Sequence, residues 1–454
     1  MDRRNFIQGA AATCSAALAQ SGKMRPNIVY IHSHDTGRFI QPYGHAVPTP
    51  NLQKLAEGGM LFRQAFNAAP TCSPSRASLL TGCCPHSNGM LGLVNRGFLM
   101  PDYGKHMVHT LRAAGYSSAL LGLQHIARDP NVIGFDKVAR PKSTHVADVT
   151  PVALDYLNHA PKQPFFIDVG FFETHRPFLT APADESRYAF AAPPLPDTPQ
   201  TRQDIANFKN SARALDNAVG EILKGLETNG LASNTLVIST TDHGIAFPDM
   251  KCNLFDFGMG VSLIMRGPGG FSGGKVCDAM VSHIDVFPTL CDLLEMERPA
   301  WLEGKSMMPV IRGQKQEIND EIFGEVNYHA AYEPKRAVRT KRHKYIKHYD
   351  GRVHPNLPNC DDGLSKSLWM EYGWKNRLVA QEQLYDLMFD PNERCNLAAD
   401  PAQKQVLTEM RGRLDRWMHA TRDPLLDGPV KPQPGATVND PDGNSPNEPV
   451  KKLG

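Results

Sequence analysis

The chain lacks an excess of charge of either sign: 49 Lys and Arg stand against 47 Asp and Glu in 454 residues, a net charge of +2. That balance excludes the one-sided electrostatic footprint of a nucleic-acid binder or of a protein held on an anionic membrane. Past the N-terminus no apolar run reaches 18 residues, which excludes a multi-span membrane protein. Cysteine is scarce and irregularly spaced, nine in all, so the chain is not a disulfide scaffold, although an exported protein could still close one or two bridges. Internal repeats are absent as well. What is present is ordinary for a globular protein, 41% hydrophobic and 21% charged, and long enough for more than one domain.

The first residues, MDRRNFIQGAAATCSAALAQ, set Arg3 and Arg4 before Phe6 and an Ala-rich run, with Ala17-Leu18-Ala19 as a cleavage site. Residues 1–22 are therefore expected to be an export signal of the twin-arginine type, which carries folded proteins across a bacterial membrane. The mature protein is expected to be periplasmic or secreted, with no stable membrane insertion once the signal, and Cys14 with it, is removed.

Short runs of β-branched and aromatic residues, NIVYIHS (27–33), SSALLG (117–122), FFIDVGF (165–171), TLVISTT (235–241) and VSLIMRG (261–267), read as buried strands. Helical patterns alternate with them, at 51–59 and most clearly at 203–230, which Gly230 closes. This alternation predicts an α/β domain over residues 23–315, built on a large, mostly parallel sheet sandwiched by helices. A smaller α+β subdomain is expected over 316–425, from strand-like alternation at 337–350 and an amphipathic helix at 401–421. Residues 426–454 form a Pro/Gly-rich tail, expected to wrap or to hang loose.

In a parallel α/β sheet, ligands bind beyond the carboxyl ends of the strands. Here each predicted strand end leads into titratable groups: His34 and Asp35, His125, Glu173 and His175, Asp242 and His243. Singly, a histidine there is usually a loop residue with a local hydrogen bond, and an aspartate a helix cap. Jointly they mark one edge of the sheet as a candidate site. Cys72, in TCSPSRASLLTG (71–82), belongs to another such loop, just before a helix predicted at SRASLLTG. It could be a buried apolar residue, half a disulfide, a metal ligand or a reactive thiol near Arg76. A zinc reading is weak, because Cys83 and Cys84 adjoin each other and lie too far off.

CSPSRASLLTG (72–82) resembles the C-x-P-S-R segment of the type I sulfatases, and a chance match is on the order of 10⁻⁸ per window. The resemblance extends through PNIVYIHSHDTG (26–37), VPTPNLQKLAEGGMLFRQAF (47–66), STTDHG (239–244) and QLYDLMFDPNERCNLA (383–398), and is nearest to the heparan N-sulfatase branch. It implies the alkaline phosphatase/sulfatase-like fold. It also implies that a maturation enzyme oxidises Cys72 to Cα-formylglycine. In that family the aldehyde is hydrated; one hydroxyl attacks sulfur, and the other then expels sulfate, an exit that a serine nucleophile lacks.

The same resemblance implies roles for matching positions. Asp35 and Asp242, with His243, His34 and residue 72, are the expected ligands of a divalent cation. Calcium is the expected ion, and a softer metal is admitted by His34, which stands where relatives carry an aspartate. Arg76 would orient the diol, His125 take its proton, and His175 and Lys251 meet the sulfate or the leaving atom. Leu123 replaces a lysine that relatives place after the same glycine, and Arg38, Arg128, Arg176 or Lys347 would have to compensate. The expected activity is hydrolysis of sulfate esters or sulfamates on a glycan. A phosphonate or phosphodiester hydrolase of the same superfamily and a non-catalytic glycan-binding relative are the alternatives.

Overall fold

The computed structural model describes residues 25–182 and 184–453, so the expected export signal lies outside the described residues. Eight strands form the main sheet: β1 Asn27–Ser33, β2 Met60–Phe66, β3 Ser117–Gly122, β4 Lys137–Ala139, β5 Phe165–Gly170, β6 Thr235–Thr241, β7 Leu263–Arg266 and β8 Lys275–Ser282. Their order is β4-β3-β5-β1-β6-β7-β2-β8. All pairings are parallel except those that β7 makes with β6 and β2.

β1 is buried along its whole length, and its residues alternate between two cores. Ile28 and Tyr30 face a layer that includes Leu79, Leu80, Phe287 and Leu290. Val29 and Ile31 face the opposite layer, where helix Pro199–Thr228 contributes Leu215, Val219 and Ile222. That helix starts with Thr198, whose hydroxyl accepts from the Thr201 amide, and with Pro199 at its first position. Burying each large aliphatic side chain contributes about 1.5–3 kcal/mol, so both faces of the sheet are held by ordinary packing.

Three strands of the main sheet escaped the sequence reading. β2 carries an exposed Arg63 inside its run, β4 has three residues, and β8, at the sheet edge, exposes three of its first four residues, so none shows a clean apolar pattern. The alternation at 337–350 resolves into the end of one strand and the whole of the next. These are β10 Tyr332–Arg339 and β11 His343–His348, which pair antiparallel between β9 Ile322–Tyr328 and β12 Glu382–Asp386. Helix Lys404–Thr421 covers this second sheet through Leu407, Met410 and Leu414. The chain beyond it lies against the larger core: Val430, Ala436 and Val438 are buried there, and Asp423 pairs with the fully buried Arg336. The eight described cysteines are all free, so no bridge forms among the described residues. No helix among these residues is long and apolar enough to cross a membrane.

His86 ties the main domain to the second sheet by pairing with Glu325 of β9. Burial alone would lower its pKa, but Glu325 outweighs burial and raises it above the ordinary 6.5. A raised folded pKa stabilises fully below the unfolded value and is lost as pH rises through the folded one. Exchanging His86 for Gln is therefore expected to lower stability by about 2 kcal/mol at pH 6. The deficit should shrink toward pH 9. Urea unfolding at both pH values reads the difference, and equal deficits would refute the pairing.

Candidate active site

β3, β5, β1 and β6 are neighbours in the sheet, so the loops leaving their carboxyl ends emerge side by side. After β1, Asp35 takes a left-handed backbone (φ 52), and after β3 His125 does the same (φ 55). Non-glycine residues adopt that region at a cost, usually where a side chain must be aimed. At the end of β5 a side chain on Gly170 would place Cβ 2.0 Å from the Leu123 carbonyl oxygen and 2.4 Å from the His32 ring. Glycine there is what lets the β3 loop and His32 close on the site.

Helix Cys72–Thr81 supplies residue 72. The sequence reading starts this helix after the cysteine; instead Cys72 is its first residue. Thr71 is extended (φ −136, ψ 140), and Pro74 falls within the first turn, where its missing N–H removes no bond. Every residue of this helix is buried, and Gly82 ends it with φ 69. Arg76, one turn on, lies on the face of Cys72.

The structure brings His34, Asp35, Cys72, Asp242 and His243 into one buried cluster, with one donor atom of each within 4.8 Å of the others. The Nδ1 of His243 faces the Gly244 carbonyl (3.0 Å), so it carries the ring proton. Its bare Nε2 stands 3.3 Å from Asp35 Oδ1, 3.7 Å from Asp242 Oδ2 and 3.3 Å from Cys72 Sγ. His34 Nδ1 lies between the carboxylates, 2.7 Å from Asp35 Oδ1 and 3.0 Å from Asp242 Oδ2. Burial would raise both carboxyls, yet their surroundings hold both well below the usual range. Lys251, His175 and His34 do so for Asp35, and His243, His34 and Arg76 for Asp242. Two ionised carboxylates and an unprotonated imidazole nitrogen converging in a buried cluster form a donor set that fits a divalent cation.

Around this cluster stand the other expected residues. Arg76 donates to Asp242 Oδ2 (2.9 Å) and to the Ser33 carbonyl (2.9 Å). Lys251 donates to Asp35 Oδ2 (2.8 Å) and approaches His175 Nε2 (3.2 Å). The His125 ring lies 5.6 Å from that of His34. Burial, His34 and Arg76 push the His125 pKa well down, so it is neutral at neutral pH. Burial and Lys251 lower His175 to about 4. Burial opposes the Lys251 cation, but Asp35 and Asp361 outweigh it and keep the ammonium charged. Burial pushes the Cys72 thiol well up, against Lys251, so no thiolate is present to act as a nucleophile.

Three of the four suggested substitutes for the lysine missing at Leu123 are engaged elsewhere. Arg38 lies over Phe66 and donates to the Ala65 carbonyl, Arg176 holds both oxygens of Asp204, and Lys347 sits over Tyr349. Arg128 lines a hollow together with Leu123 and His125.

The sequence reading missed four residues. His32 accepts from Arg76 at Nδ1, because arginine can only donate, and its Nε2–H therefore donates to Asp168 (2.7 Å). Both are polar residues inside otherwise apolar strands, which is the signal that could have found them. Asp361 pairs with Lys251 at 2.8 Å, and Lys251 and His175 hold its carboxyl down against burial. His329, from the turn between β9 and β10, is buried and kept neutral by burial and by Lys251. Nothing local in the sequence announces the last two; they come from the C-terminal subdomain.

The family described as Sulfatase matches residues 26–296, and that described as N-sulphoglucosamine sulphohydrolase, C-terminal, matches residues 246–357. The chain is similar to human N-sulphoglucosamine sulphohydrolase, at 29% identity over 92% of this chain and 95% of that one. It is also similar to a Delta 4,5-hexuronate-2-O-sulfatase of Bacteroides thetaiotaomicron, at 27% identity over 91% of this chain and 92% of that one. In fold it resembles a protein solved in complex with its substrate, D-glucosamine-2-N,6-O-disulfate. The TM-score is 0.70 and the identity 17%, over 88% of this chain and 98% of that one.

Proposed function

Because the chain belongs to the sulfatase family, and so to the sulfuric ester hydrolases, we propose that it removes an N- or O-sulfate from an amino sugar of a glycan, using an oxidised Cys72 and a divalent cation. The observation that carries this reading is the placing of Cys72. It opens a buried helix, its thiol is protonated, and it faces two ionised carboxylates and the bare nitrogen of His243. A cysteine so placed is useless as a thiol and well placed as a precursor. Its Sγ stands for the side-chain oxygen of the matured residue, Cα-formylglycine, made by a dedicated maturation enzyme.

Asp35, Asp242, His243 and His34 would hold the cation, which supplies a positive charge for sulfate oxygens and lowers the pKa of a nearby hydroxyl. The hydrated aldehyde supplies two hydroxyls on one carbon, one to take the sulfuryl group and one to release it. The rest is work for the chain's own groups. Arg76, fixed by His32, Ser33 and Asp242, keeps its buried Nε without a partner among the described residues, a donor available to negative charge that develops at the site. Neutral His125 accepts a proton from a hydroxyl of residue 72. His175 carries its proton on Nδ1, against the Arg176 carbonyl at 2.6 Å, which leaves Nε2 to accept from the Lys251 ammonium. That pair can deliver a proton to the departing oxygen or nitrogen. The oxygens of Asp35 and Asp242 suit calcium, and the imidazoles of His243 and His34 admit a softer ion.

The test is to produce the chain with a maturation enzyme, read the peptide containing residue 72 by mass spectrometry, and measure sulfate released from N- and O-sulfated glucosamine. An aldehyde at residue 72 and turnover abolished by a chelator and restored by one divalent ion are the expected results. An unmodified cysteine in a fully active protein would overturn the reading.

A further inference from the structure

Directly after β3 the loop that carries Leu123 and His125 forms the inner wall of an open hollow of about 590 Å³. This is within the range of small-molecule sites, about 300–1,000 Å³. Arg128, Arg140 and Lys142 line it, and no carboxylate does. All three cations are exposed, and Arg140 has only a long contact, 3.5 Å, with the equally exposed Asp129. A hollow lined by cations with no carboxylate facing them concentrates anions. Gln124, in the β3 loop, spends its carbonyl on the Ile126 and Ala127 amides and its amide on the Ala127 carbonyl, which ties down the inner wall. His125 belongs both to this wall and to the reaction centre, where its ring is 5.6 Å from that of His34. The hollow therefore continues the site outward on the β3 side.

We propose that this hollow is a subsite for an anionic group on the sugar adjoining the one that loses its sulfate, with Arg128, Arg140 and Lys142 as its recognition residues. The proposal rests on the reading of the chain as a glycan sulfatase. Specificity then comes from an extended polyanion, because two anionic groups must be met at once. The shared chemistry is a sulfate or a carboxylate oxygen; the two sources are separated by the substrates used below.

The test compares the parent with Arg140→Ala/Lys142→Ala. Both changes are on exposed side chains, so melting temperature should not fall. Three probes are used: N-sulfated glucosamine, the same sugar joined to a hexuronate, and that disaccharide with a 2-O-sulfate on the hexuronate. On the monosaccharide, kcat and KM should stay within about twofold of the parent. On a disaccharide, KM should rise about tenfold at unchanged kcat, equivalent to about 1.4 kcal/mol. The effect should weaken as salt is raised past 0.15 M, where charges are screened beyond about 8 Å. A rise with the unsulfated hexuronate assigns the subsite to carboxylate, and a rise confined to the 2-O-sulfated one assigns it to sulfate. Unchanged KM on both disaccharides overturns the proposal. Binding of the same disaccharides to Cys72→Ala protein, with and without the two substitutions, gives a readout that needs no turnover. If the parent hydrolyses nothing but this binding still depends on Arg140 and Lys142, the functional reading fails and the subsite stands.

Discussion

Cys72→Ala is expected to lower the rate of sulfate release by about 10⁴-fold or more, the scale seen when a nucleophile is removed. Glycan binding should persist. The side chain is small and 2% exposed, so its loss should cost no more than about 1 kcal/mol of stability and the variant should fold. The neighbours remain to bind: Arg76, Lys251, His175 and the two carboxylates are all anchored by contacts that do not involve residue 72. Serine at the same place separates the two halves of the proposed chemistry. It can take a sulfuryl group once, but with one oxygen on its carbon it cannot release it. Cys72→Ser should therefore yield at most one sulfated protein per site, detectable as a mass increase on the peptide of residue 72, and no steady turnover. An alanine variant with activity within tenfold of the parent would remove residue 72 from the mechanism, and with it the need for maturation.

Most of the main sheet was legible because its central strands are buried on both faces and so appear as largely apolar runs. β1, β3, β5 and β6 are of this kind. The site followed from them, since loops at the ends of adjacent parallel strands must lie together whatever their sequence separation. That is why Asp35 and Asp242 could be placed near each other from opposite parts of the chain; β1 and β6 pair over their whole length. The edge strands β4 and β8 and the strand β2 were not legible, because β4 has three residues, β8 exposes three of its first four, and an exposed Arg63 breaks the apolar run of β2. Groups that act by supporting others were also hidden. His32 and Asp168 are one strand apart in space, and their value lies in a hydrogen-bond chain to Arg76 that no local motif records. Asp361 and His329 reach the site only because the second sheet packs against the first domain, and docking of one subdomain on another leaves no periodic trace.

Arg76→Ala is expected to lower kcat/KM by about 10³-fold and stability by about 3–5 kcal/mol. The side chain is 2% exposed, and the Asp242 carboxylate that it meets is wholly buried. Burial opposes the guanidinium charge, but Asp242 outweighs it and raises the pKa, so the group is always cationic. Truncation strands a buried carboxylate with one fewer counter-charge and deprives His32 Nδ1 of its donor, after which the imidazole is free to turn away from Asp168. Arg76→Lys is the sharper probe. Lysine restores the charge but, as a single ammonium, cannot meet His32, the Ser33 carbonyl and Asp242 in the flat arrangement that a guanidinium spans. If Arg76 works by geometry, the lysine variant should recover part of the stability lost by alanine, read from urea unfolding, yet remain about a hundredfold down in kcat. If it works as a point charge only, kcat for Arg76→Lys will fall within about threefold of the parent. In that case the His32–Asp168 pair has no part in catalysis, and the buried chain from β5 through β1 to the helix of Cys72 is a packing device alone.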